Sequence, residues 1–139
     1  MTASAILHDH ASAHRLGRVR CAPVAVVLGR YAVVQPDILF VSERRRAILR
    51  GDAVHGAPDL VVEVLSPATA DYDRGEKRAL SQRSGVREYW LVDLWAKAVE
   101  IREFGRRRRM RIVQAGQSFE SALLPGLTVA VSDLFREIR

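Results

Sequence analysis

One glutamate in this 139-residue sequence demands a chemical explanation before anything else. Glu63 lies inside Pro58-Asp-Leu-Val-Val-Glu-Val-Leu65, whose near-continuous hydrophobicity predicts a strand buried on both faces. An ionised carboxylate there is costly unless a cation or hydrogen-bond donors meet it. Strand parity sets Asp59 and Glu63 on one face, but a rise of about 3.3 Å per residue separates them by roughly 13 Å. One ion cannot bridge both without a bend, so the partner of Glu63 must come from elsewhere. Asp37 is the natural one, in a neighbouring apolar run and next to Pro36, which can distort the backbone and aim the carboxylate at the same spot. Two carboxylates converging at strand ends make a hard-oxygen site suited to Mg²⁺ or Mn²⁺, which takes one or two carboxylates and fills its octahedron with water and substrate phosphate. A lysine beside such a metal can position or deprotonate the attacking water. The chain has 20 arginines and two lysines, Lys77 and Lys97, and Lys77 follows Glu63 by one expected helix.

The elements that must position these residues are punctuated by glycine and proline. Residues 1–16 lack sustained periodicity and are expected to be a flexible N-terminal arm or a short helix, ahead of a single domain over 17–139. Two Val- and Ile-rich runs around Gly29-Arg30-Tyr31 predict a β-hairpin, complicated by Pro23 and Pro36, which cannot donate to a ladder. A polar surface segment with Arg44, Arg45 and Arg46 follows, then the central strand at 58–65. Residues 70–84 read as a helix closed by Gly85. A second hairpin spans Arg87 to Phe104 with its turn at Ala96-Lys97, and Arg106 to Arg109 form the next turn. Short strands are expected at 110–114 and 127–131, and a helical turn or two from Ser132 to Ile138. The order implies an α/β or α+β domain built on a mixed sheet.

These residues carry a resemblance. Gln35-Pro-Asp-Ile-Leu-Phe-Val41, Ala57-Pro-Asp-Leu-Val-Val-Glu-Val-Leu-Ser-Pro67, Asp73 with Lys77, and Gly85-Val-Arg-Glu-Tyr-Trp-Leu-Val-Asp93 resemble the Uma-two type of restriction endonuclease, a bacterial branch of the PD-(D/E)XK nuclease superfamily. Leu124-Pro-Gly-Leu127 and Asp133-Leu-Phe135 fit it too, and the likeness covers about residues 17 to 136. It implies a restriction-endonuclease-like core, a mixed sheet flanked by helices, in which Asp37 is the motif aspartate and Glu63 the acidic residue of the (D/E)XK step. The chain departs from the pattern at Leu65, where a lysine is expected, and the resemblance implies that the following helix supplies it as Lys77. Asp59 is a further candidate metal ligand at the strand mouth, and Asp73 lies one turn before Lys77 on the same helix face; both carry less weight than Asp37 and Glu63. Against the family's pattern the N-terminal part is expected to be shortened, and Ser81 stands where a tyrosine is often found.

The implied activity is metal-dependent hydrolysis of DNA, with Asp37, Glu63 and Lys77 catalytic, Asp37, Glu63 and Asp59 on the metal, and Arg44, Arg45, Arg46 and Arg74 against phosphate. The alternative is a catalytically degenerate nucleic-acid-binding or assembly module on the same fold. Each residue also has a plainer reading: Asp37 and Asp59 follow proline as turn or cap residues do, and Lys77 can pair with Asp73 on a solvated helix. Tyr89, Trp90 and Trp95 read as core or interface aromatics.

Composition bounds the partners. A formal charge of +6 favours a polyanion, 48% hydrophobic residues exclude wholesale disorder, and the lone Cys21 excludes an internal disulfide. No apolar run reaches bilayer length and no secretory signal is evident, so the expected location is the cytoplasm. Edge strands left open by the shortened N-terminus point to a homodimer.

Overall fold

The computed structural model describes residues 2–30 and 32–135. In chain order the elements are α1 (Thr2–Ala13), β1 (Gly17–Cys21), β2 (Ala25–Val27), β3 (Val33–Val34), β4 (Ile38–Ser42), a 3₁₀ turn (Glu43–Ile48), β5 (Leu49–Arg50), β6 (Ala53–His55) and β7 (Leu60–Val64). Then come α2 (Ala70–Arg74), α3 (Glu76–Ser84), β8 (Glu88–Asp93), β9 (Ala98–Glu103), β10 (Arg109–Gln114), β11 (Ser118–Glu120), β12 (Thr128–Ala130) and a second 3₁₀ turn (Val131–Phe135). The main sheet has the order β1-β4-β7-β8-β9-β10. Only β7 and β8 run parallel in it; the neighbouring pairs are antiparallel. A parallel pair needs a long crossover, and α2–α3 supplies it.

The sheet is covered on both faces, which is why β4, β7 and β8 read as almost unbroken apolar runs. On one face α1, β11, β12 and the last 3₁₀ turn enclose Phe40, Leu60, Val62, Trp90 and Ile101, with Phe119 edge-on to Trp90 at 5.0 Å between ring centres. On the other face α2 and α3 cover Val61, Tyr89 and Leu91, and a small sheet, ordered β3-β2-β6-β5, covers Leu39 and Val41.

The first expected hairpin is divided between two sheets. β1 pairs with β4 in the main sheet, whereas β2 pairs with β3 in the small one. Pro23 and Pro36 lie in the two crossings between them, where no ladder N–H is needed. Tyr31, part of the expected turn, lies outside the described residues. For residues 1–16 the helix alternative is the one observed: Ala3, Leu7 and Ala11 recur at intervals of four, are buried, and join the core. Small side chains let α1 approach β1 closely, and their weak hydrophobicity hid the stripe. The helix expected at 70–84 is broken at Gly75 into α2 and α3, and Gly85 closes it in the left-handed region at φ 103°. The terminal turn is observed over Val131–Phe135; residues 136–138 of the expected helix lie outside the described residues. Tyr89 and Trp90 are core residues, but Trp95 is 67% exposed.

Candidate active site

β4 and β7 run antiparallel with Ile38 opposite Val62, so the residue before β4 meets Glu63 near the end of β7. Asp37 and Glu63 are therefore brought together by strand register. The Asp37 N–H donates to Glu63 Oε1 at 3.0 Å, and the Val64 N–H donates to Asp37 Oδ2 at 2.7 Å. Glu63 is buried, while Asp37 is half-buried and opens the pair to solvent.

Lys77 completes the cluster from the first turn of α3. Its ammonium forms an ion pair with Glu63 Oε2 and donates to the Gln35 carbonyl at 3.2 Å, with Asp73 Oδ1 at 3.9 Å. The side chain is 9% exposed, so it is no solvated helix lysine. Asp73 sits one turn earlier at the end of α2; its carbonyl accepts from the buried Tyr89 hydroxyl at 2.9 Å, which ties that turn to β8. Burial raises the Glu63 pKa to about 7, the nearby Asp37 charge adds to this, and the Lys77 ammonium opposes it. Burial, with the charges of Glu63 and Asp73, pushes the Tyr89 hydroxyl upward as well.

The donor chemistry fits one small divalent cation. Among the described residues no cluster of three or more His, Cys, Asp or Glu is arranged for a metal, and the pair here supplies two carboxylates. Mg²⁺ keeps several waters and needs only one or two carboxylates. A half-exposed aspartate beside a buried glutamate meets that requirement.

Asp59 is not brought to this pair. It lies at the opposite end of β7, fully buried, where its Oδ2 accepts the Ser42 N–H at 2.7 Å and faces Arg45 at 3.5 Å, with Arg87 at 3.9 Å from Oδ1. A carboxylate facing two guanidinium groups holds the polypeptide together at that pole. Arg44, Arg45 and Arg46 share it, since their 3₁₀ turn follows the end of β4, a full strand from Asp37. Arg44 is exposed, Arg45 is engaged by Asp59, and Arg46 pairs with Glu43 at 2.7 Å. Arg74 stands at the Glu63 end of the sheet, 3.1 Å from Asp93 and 3.5 Å from Glu100. The Gln35 carbonyl and the Tyr89 hydroxyl escaped sequence reading. A carbonyl carries no residue-type signal; the tyrosine's only cue was its place in a buried strand.

No curated protein matches the sequence. A solved structure described as a "putative nuclease" from Anabaena variabilis matches with a TM-score of 0.81 at 16% identity, over 99% of this chain and 78% of that one. The mixed sheet and its helices thus form a nuclease-like fold. The model of the Uma2 family, "Putative restriction endonuclease", matches residues 2–132. With that extent of match, the chain belongs to the Uma2 restriction endonuclease family.

Proposed function

We infer that this protein is a Mg²⁺- or Mn²⁺-dependent endonuclease that hydrolyses phosphodiester bonds in DNA. The observation that supports this most directly is the meeting of Asp37, Glu63 and Lys77, from three separate elements, at one end of the sheet. Asp37 and Glu63 would hold the cation, which when bound activates water and steadies charge on the phosphate oxygens. Glu63 must ionise to do so, and the Lys77 ammonium beside it favours the charged form. Lys77 has a second task, to orient the attacking water, and the Gln35 carbonyl fixes its amine for that purpose. Asp73 and Tyr89 hold the turn before the lysine. The family match and the nuclease-like fold support a nuclease role; DNA as substrate, the cation and the cytoplasmic location are our reading. So is a homodimer, for which sedimentation at several protein concentrations is the check.

Cleavage of plasmid and oligonucleotide DNA with Mg²⁺ or Mn²⁺ tests the reading, and activity undiminished in Glu63→Ala removes the mechanism.

A second reading has its own support. Both oxygens of Glu63 are already engaged, one by the Asp37 N–H and one by Lys77, and Leu65 stands where the superfamily pattern has lysine. A binding module without catalysis would show salt-sensitive DNA binding and no calorimetric Mg²⁺ or Mn²⁺ uptake.

A further inference from the structure

Strand register defines a surface that the cluster at Glu63 does not use. On the face carrying α2 and α3, Tyr89 of β8 lies opposite Arg102 of β9, and Arg102 opposite Met110 of β10; Leu91, Glu100 and Ile112 form the next rung. The helices bury Tyr89 and Leu91 but stop short of the outer strands. Met110 is left 49% and Ile112 56% exposed on the edge strand. Between α3 and this hairpin runs a groove of about 240 Å³ lined by Arg78, Arg102, Arg108, Arg109, Phe104 and Met110, with Glu103 as its acidic residue.

Its charge is unbalanced. Glu100, on the next rung, is already held by Arg102 at 2.9 Å and Arg74 at 3.5 Å, and Glu103, the acidic residue of the groove, faces Arg109 at 3.8 Å and Arg111 at 3.9 Å. Arg78 is turned back along the helix, donating to the Arg74 carbonyl at 2.8 Å, and Arg108 extends the row at the hairpin tip. A free phosphate would satisfy guanidinium groups but has no use for the apolar side chains between them. A single polynucleotide strand has phosphates for the one and base faces for the other. Arg102 lies on the rung of Tyr89 and Val61, two residues along β7 from Glu63, and from there the groove runs away from the reaction site toward Phe104 and Arg108.

The geometry points to this groove as the seat of one unpaired DNA strand, with Arg78, Arg102 and Arg108 on its phosphates and Met110 and Phe104 against its bases. The assignment rests on the nuclease reading for its substrate, and it moves the main nucleic-acid contact away from Arg44, Arg45 and Arg46.

Binding is measured by fluorescence anisotropy of a short labelled oligodeoxythymidine, in EDTA so that cleavage plays no part. The double variant Arg102→Gln/Arg108→Gln is expected to bind about tenfold or more weakly than the wild type. It is also expected to lower the slope of log affinity against log salt by about 1.4, or 0.7 for each phosphate no longer neutralised. Met110→Glu, on an exposed side chain and so safe for folding, is expected to weaken binding about fivefold or more through repulsion of the backbone. Arg44→Gln is expected to stay within about twofold of the wild type. Wild-type affinity in both groove variants overturns the assignment, as does an equal loss in Arg44→Gln, tighter binding of the matching duplex, or no binding by the wild type. Glu63→Gln is expected to keep full affinity. A wild-type protein that binds in this way but cleaves nothing defeats the nuclease reading and leaves the groove standing.

Discussion

Asp37 and Glu63 are locked to each other through backbone hydrogen bonds: Glu63 accepts the N–H of Asp37 at 3.0 Å, and Asp37 accepts the N–H of the residue after Glu63 at 2.7 Å. The distance between the two carboxylates is thus set by the β4–β7 ladder, not by side-chain rotamers alone. Such preorganisation suits a metal that tolerates little distortion. It also explains how two like charges can be kept close, since each carboxylate has a donor of its own and Lys77 adds a cation.

Replacing Glu63 by Gln keeps the shape and the acceptor for the Asp37 N–H but removes the charge. DNA cleavage should fall by about a hundredfold or more in a plasmid nicking assay, as expected when a metal ligand is removed. Calorimetric Mn²⁺ binding should weaken in step, and the circular dichroism spectrum should not change.

Lys77→Met removes the cation and leaves Glu63 to ionise unaided. The variant should lose cleavage, and it should be destabilised more at pH 8 than at pH 5, because at pH 5 Glu63 can stay protonated and the missing partner costs little. Breaking a buried pair costs about 3–5 kcal/mol when the remaining charge persists. Thermal melts at the two pH values test the sign.

The raised pKa of Glu63 makes metal-free stability depend on pH. Its folded value of about 7 lies above the ordinary glutamate value of 4.5, so its contribution is fully present below pH 4.5 and is lost as pH rises through about 7. The gap corresponds to about 3 kcal/mol at 1.36 kcal/mol per pKa unit. Urea titrations of the metal-free protein from pH 4 to 8 should show this decline, and Glu63→Gln should flatten it. Divalent cations compete with the same proton, so their affinity should climb over that window.

Asp59→Asn tests a structural role for a residue that the family resemblance offered as a metal ligand. With Arg45 and Arg87 left facing a neutral buried amide, the fold should lose about 2–4 kcal/mol in urea unfolding. Mn²⁺ affinity should be unchanged. A loss of metal binding without a loss of stability would return Asp59 to the metal.

Leu7→Ala decides whether α1 belongs to the core. Leu7 is 1% exposed against the main sheet, and its truncation should cost about 2–5 kcal/mol. A helix that merely hangs from the sheet would show almost no effect.

Some of this was legible in the residues themselves. A glutamate among valines in β7 announces a compensating partner, because burial of an unpaired charge is too costly for a stable fold. The crossover helix, the β8–β9 hairpin and the buried Tyr89 and Trp90 followed from periodicity and glycine placement. Alternation also separated Asp59 from Glu63 by a strand's length, yet it could not say what Asp59 meets instead: Arg45 and Arg87 reach it from elements whose packing is set by distant contacts. The same holds for α1, whose alanines carry too weak a stripe to be read until β1 is in place. It holds for the first hairpin, where only the competition between two sheets decides which runs pair. Residue types along the chain thus determined which charges required partners. The three-dimensional packing alone chose those partners, because ion pairs and strand registers act over a few ångströms between segments tens of residues apart.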